Sequence, residues 1–161
     1  MTTRREFLKT GLAGSLLLNV AACTNPAEDG GRQAVLAAVI PVCLAGALPA
    51  GGEVFRELVS RTVAGVDQAI AGLPLASQKE ISQLFDLLSF APTRILAAGL
   101  WSQWPEASPQ AIGGFLESWR NSRFDLFKSG YAALHDLIFA AWYARPETWA
   151  AIGYPGPPKV E

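Results

Sequence analysis

Between residues 53 and 71 apolar side chains return every three or four positions: Val54, Leu58, Val59, Val63, Val66 and Ile70. Glu53, Arg56, Glu57, Arg61 and Asp67 fill the other face, so the spacing predicts an amphipathic helix ended by Gly72-Leu73-Pro74. The next pattern, 77–90, turns Ile81, Leu84, Phe85, Leu87 and Leu88 inward, with Ser77 and Glu80 as a capping box. Ala91-Pro92 breaks it, and 93–100 follows as a short apolar helix before an indole-rich loop, Trp101 to Pro105. Ser108-Pro109 offers a cap and a first-turn proline for a helix through Phe115, Leu116 and Trp119 to Arg120 and Asn121. The longest helix, 122–144, carries Phe124, Phe127, Tyr131, Leu134, Ile138 and Trp142 as its inward stripe and stops at Arg145-Pro146. One or two helical turns follow over 146–152. No stretch alternates with a period of two and no hairpin dipeptide joins strand-like runs. The pattern predicts an all-α single bundle of about five or six helices.

The first fifty residues read differently. Residues 33–50 are uncharged and mostly apolar, but Pro41, Gly46 and Pro49 interrupt them and the run is too short for a membrane span. A buried helix, kinked or broken at Pro41, is the expectation, with Cys43 a core thiol. Upstream, Arg4, Arg5, Phe7, Leu8 and Lys9 have the form of a twin-arginine export signal, and a short apolar run from Gly11 to Ala22 follows them. That route carries proteins already folded. The run ends Val20-Ala21-Ala22-Cys23, a lipobox in which Cys23 would be lipidated and become the new N-terminus; ordinary signal-peptide cleavage at the same bond is the competing reading. The expected organisation is a signal over 1–22, a flexible tether over 23–32, a helical domain over 33–152 and an extended Pro/Gly-rich tail over 153–161. The implied destination is the periplasm, at a membrane surface if Cys23 is acylated.

Composition narrows the function classes. Half of the 161 residues are hydrophobic and 17% are charged, enough apolar material for one core. The formal net charge is −1, and the chain from Cys23 onward carries −3, since Arg4, Arg5 and Lys9 outweigh Glu6 before it. This gives no electrostatic footprint for nucleic acid. Cys23 and Cys43 allow one disulfide, which competes with lipidation of Cys23.

Catalytic and metal signatures are sparse. The sole histidine, His135, shares a helix face with Tyr131 and neighbours Asp136. The group could handle a proton or ligate a haem, but a lone helix histidine is more often structural. No paired Cys or His spacing suggests a metal site. Gly113-Gly114 suits close helix packing better than phosphate binding, and no serine sits in a nucleophile elbow. Arg120, Arg123 and Asp125 suggest solvated ion pairs, with Glu117 and Asp136 as further dispersed carboxylates. Of the five tryptophans, Trp101, Trp104, Trp142 and Trp149 lie at helix ends or in connections, which points two or three of them towards an interface.

The run from Ala141 to Pro158 is the most distinctive stretch after the signal. Its aromatic pair Trp142-Tyr143, then Pro146, Trp149 and Gly153-Tyr154-Pro155-Gly156-Pro157, resembles the C-terminal signature of the gluconate 2-dehydrogenase subunit 3-like family. The resemblance is specific over residues 130–158 and general before them, and the export signal fits the same family. It implies a small helical subunit without an active site or cofactor of its own. That subunit would escort an FAD-dependent oxidoreductase of the glucose–methanol–choline class through the twin-arginine translocase. Trp142, Tyr143, Pro146, Trp149, Gly153, Tyr154, Pro155 and Gly156 would then contact the flavoprotein, with Trp142, Trp149 and Tyr154 as anchors. The alternative expectation is a free-standing envelope lipoprotein with a structural or ligand-binding role.

Overall fold

The structure, a computed structural model, describes residues 28–157. The twin-arginine motif at Arg4, Arg5, Phe7, Leu8 and Lys9, the lipobox ending at Cys23 and the last residues of the tail lie outside the described residues. The described residues form an all-α single bundle with no strand. The helices are α1 Glu28–Cys43, α2 Gly52–Ala71, α3 Leu75–Ser89, α4 Ala91–Thr93, α5 Pro109–Arg120 and α6 Asp125–Tyr143. A π-helical turn, Arg94–Ala98, continues α4, and short 3₁₀ turns occupy Trp104–Glu106, Pro146–Thr148 and Ala150–Ile152. No helix among the described residues is long and apolar enough to cross a membrane.

α1 is the central element. Val35, Leu36, Val39 and Ile40 are fully buried, and α1 touches each of α2, α3, α5 and α6. It starts inside the stretch expected to be a tether. The reason is packing: a Cβ at Gly31 would lie 2.6 Å from Ser89 Oγ, so this glycine belongs to a tight contact with the end of α3. Arg32 Nε sits 2.9 Å from Asp67 Oδ1, fixing the same end of α1 to α2. Nor does Pro41 break the helix. It lies in the last turn, where it removes only its own N–H, and the Leu44 N–H still donates to the Ile40 carbonyl at 2.9 Å.

α2 and α6 pack closely where Gly65 meets Ala141; a Cβ on Gly65 would stand 3.1 Å from that of Ala141. The inward stripe of α2 is Val59, Thr62, Val66 and Ile70, whereas Val54 is exposed near the helix start, beyond the reach of α6. α3 begins two residues before its expected cap. Pro74, extended at φ −56° and ψ 146°, occupies the cap position, and its carbonyl accepts from the Gln78 N–H. Ser77 therefore lies within the helix and forms no capping box with Glu80. Gln78 does the joining instead, its Nε2 donating to Leu73 O at 2.8 Å and to Ala71 O at 3.3 Å across the α2–α3 turn. Ser108 does cap α5, accepting from the Ala111 N–H at 3.2 Å. Ser122 starts no helix; its Oγ accepts from the Phe124 N–H, forming a tight turn before α6, and Phe124 is exposed.

A run of rings stitches α5 to its neighbours. Trp104 meets Phe115 at 5.7 Å, Phe115 meets Trp119 at 4.8 Å, and Trp119 stacks on Phe127 at 5.2 Å. The two indoles of this run are also donors: Trp104 Nε1 to Leu88 O at 2.8 Å and Trp119 Nε1 to Ala97 O at 2.7 Å. Gly130 makes this possible, because a Cβ there would fall 2.5 Å from Trp119 Cζ3. Gly113 and Gly114 do not serve close packing; a Cβ at Gly113 would meet only Val42, at 4.0 Å, and one at Gly114 nothing.

Candidate functional site

The run that follows Ala141 forms a hook at the end of α6. The carbonyls of the last turn have no partner within the helix, and two side chains from the following turns supply donors. Thr148 Oγ1 lies 3.1 Å from Trp142 O and 2.8 Å from Arg145 O, and Trp149 Nε1 donates to Tyr143 O at 2.7 Å. Gly153, at φ +69°, then reverses the chain, and the Tyr154 N–H donates to Trp149 O at 3.1 Å. The Tyr154 ring meets Trp149 edge-on at 5.3 Å. Gly156, at φ +98°, lies against the Trp149 indole, with a Cβ position 3.2 Å from Cζ3. Residues 153–157 are irregular and wrap around Trp149 rather than extending away.

The anchors are redistributed by this geometry. Trp142 is 5% exposed and belongs to the core, on the stripe with Leu134 and Ile138, so it cannot be a surface anchor. Trp149 is half-buried, its indole N–H committed to α6 and its face to Gly156. Tyr143 is half-buried, while Pro146, Gly153, Tyr154 and Pro155 are exposed. Tyr154, at 45%, and Ile152 give the hook its outward apolar surface.

Electrostatics tie the hook to α2. Arg145 Nη2 donates to Thr62 Oγ1 at 3.1 Å, and its guanidinium lies 4.6 Å from the centre of the Trp142 ring. Its Nε and Nη1 are buried without a hydrogen-bond partner. Burial pushes the guanidinium below its ordinary range, Arg61 adds to this, and Glu147 opposes it. Glu147 accepts from Arg61 Nη2 at 2.8 Å. Its carboxyl is held below the usual range by a hydrogen bond from its own backbone N–H, with Arg61 and Arg145 acting in the same direction.

A second feature was not evident from the sequence. An open groove of about 310 Å³ runs between the end of α1 and the facing sides of α5 and α6. Gly113 leaves its wall low, Glu117 and Arg120 rim it, and Tyr131, His135 and Phe139 line it. His135 stacks on Phe139 at 4.3 Å, lies 5.8 Å from Tyr131, and has Nδ1 3.3 Å from Asp136 Oδ1. Cys43 also faces this groove, and burial pushes its thiol up to about 11, which leaves it protonated and weakly nucleophilic at neutral pH. Asp125 pairs with Lys128 at 3.6 Å rather than with Arg120 or Arg123, and Arg123 lies over the Phe124 ring. Among the described residues no cluster of three His, Cys, Asp or Glu could hold a metal ion.

No family model matches the chain, and no curated protein or solved structure is similar to it.

Proposed function

We propose that this chain is a non-catalytic small subunit or export escort of a periplasmic FAD-dependent dehydrogenase, carrying the folded flavoprotein through the twin-arginine pathway and anchoring it to a membrane. The observation that supports this reading is the hook. The residues resembling the C-terminal signature of the gluconate 2-dehydrogenase subunit 3-like family are pinned by internal hydrogen bonds while Ile152, Tyr154 and Pro155 face outward. A pinned apolar projection loses little conformational entropy on docking. The signal on this chain then has a physical reason, since FAD must be inserted before a folded partner is exported.

Co-expression with a flavoprotein from a neighbouring reading frame that lacks an export signal of its own tests the reading. Affinity capture of this chain should retain a yellow partner, and Arg4-Arg5→Lys-Lys should leave both proteins in the cytoplasm. Recovery of active dehydrogenase in the periplasm despite that change would refute the escort role. The alternative, a free-standing envelope lipoprotein, draws on the groove beside His135; it predicts a monomer that is captured without any flavoprotein.

A further inference from the structure

After α3 the chain makes an excursion from Phe90 to Trp101 and returns. Its base is pinned: Thr93 Oγ1 donates to Leu87 O at 2.5 Å, Trp104 Nε1 to Leu88 O, and Arg94 Nε to Leu100 O at 3.3 Å. Its outer side carries Phe90, Leu96 and Trp101, which are 63%, 86% and 81% exposed. Arg94 is the sole ionisable residue between Phe90 and Trp101, and it is buried. The large exposed side chains of this stretch are thus apolar and uncharged.

Position gives this surface its partner. Gly31, near the start of α1, lies against Ser89, the residue before Phe90. α1 begins at Glu28, so only Thr24 to Ala27 separate it from Cys23. At about 3.5 Å per residue that chain reaches no more than about 18 Å. Gly31 is a further three residues along, about 5 Å at helical rise. A lipid on Cys23 therefore holds the Phe90–Trp101 end of the bundle within a short reach of the bilayer, at high effective concentration.

We propose that Phe90, Leu96 and Trp101 form a knuckle that inserts into the interfacial region of the membrane to which Cys23 is anchored. Indole and apolar side chains favour that zone, and with Arg94 tucked away no charge must be desolvated. Lipid anchor and knuckle together make two attachments and fix the orientation of the bundle on the membrane. The knuckle rests on the lipobox reading of Cys23, which forms part of the proposed function.

Trp101 reports on this directly, because Trp104, Trp119 and Trp142 are buried and Trp149 is half-buried. The chain from Cys23 to Glu161, carrying Cys43→Ala, would be coupled through Cys23 to a maleimide-bearing lipid. The vesicles would contain phosphatidylethanolamine and phosphatidylglycerol. Iodide quenching of its fluorescence should fall several-fold relative to the uncoupled chain, and lipids brominated on the acyl chains should quench it. Trp101→Phe should abolish both changes, and Leu96→Asp should restore iodide access with the helical circular dichroism intact. Iodide access unchanged on the vesicle, or lost only when a protein partner is added, overturns the knuckle. The mass of the Cys23 peptide from membranes of the expressing cell is a separate readout, and an unacylated Cys23 overturns the anchor reading.

Discussion

Gly130 and Gly113 are both helical glycines, yet their substitutions should act in opposite directions. At Gly130 a methyl group has nowhere to go but into the Trp119 indole and towards Leu84, 3.3 Å away. Gly130→Ala should cost about 1–3 kcal/mol by overpacking, even after the gain in helix propensity. Gly113→Ala meets open space and should stabilise by about 0.5–1 kcal/mol. Urea midpoints of the two variants check the contrast. Glu147 governs a pH effect. A carboxyl held low in the folded chain stabilises it above the ordinary value of 4.5, and that contribution is lost as pH falls through the lowered folded value. Glu147→Gln should therefore flatten the acid limb of the stability curve, more visibly at low salt because the Arg61–Glu147 pair is exposed. Denaturant titrations between about pH 3 and pH 6 would show it.

Helix by helix, the periodicity was the legible part. The stripes of α2, α3 and α6 mark most of the residues that these three helices bury, and Trp142 falls on the α6 stripe with Leu134 and Ile138. Reading it as an anchor set its place near the helix end above its place on the stripe, and the stripe prevailed. Ends were less legible, because a cap is a hydrogen bond and a sequence shows only residues able to make one. Ser108 and Ser77 look alike in sequence, but only Ser108 has a free N–H to accept from, Pro74 having already started α3. Ser108→Ala should lower stability by about 1 kcal/mol. Ser77→Ala, inside a helix, should leave stability unchanged or raise it by a few tenths of a kcal/mol. Glycines were illegible for a related reason: which of Gly31, Gly113 and Gly130 faces a neighbour depends on helix crossings that no local pattern encodes.

At the scale of the molecule, α1 links elements that come from every later part of the chain. Leu36→Ala should cost about 2–5 kcal/mol and shift one cooperative unfolding transition rather than split it. Coincident circular dichroism and tryptophan fluorescence melts would verify this. The hook is peripheral by comparison: Tyr154→Ala should leave the melting temperature nearly unchanged, and, on the proposed function, should weaken capture of the flavoprotein. The groove beside His135 was not legible, since it arises from the spacing between three helices around Gly113 rather than from a motif.

The central place of α1 also bears on time. It is the first of the described helices to be made, and α5 and α6 are the last to cover it. On the order of 100 residues separate its end from the end of α6, which at typical synthesis rates is roughly 5–20 s during which α2 and α3 give it only partial cover. The nascent helix must wait, shielded or at risk of aggregation, until the final helix is released. Completion of the bundle is thus a late event in synthesis, set by the emergence of α6.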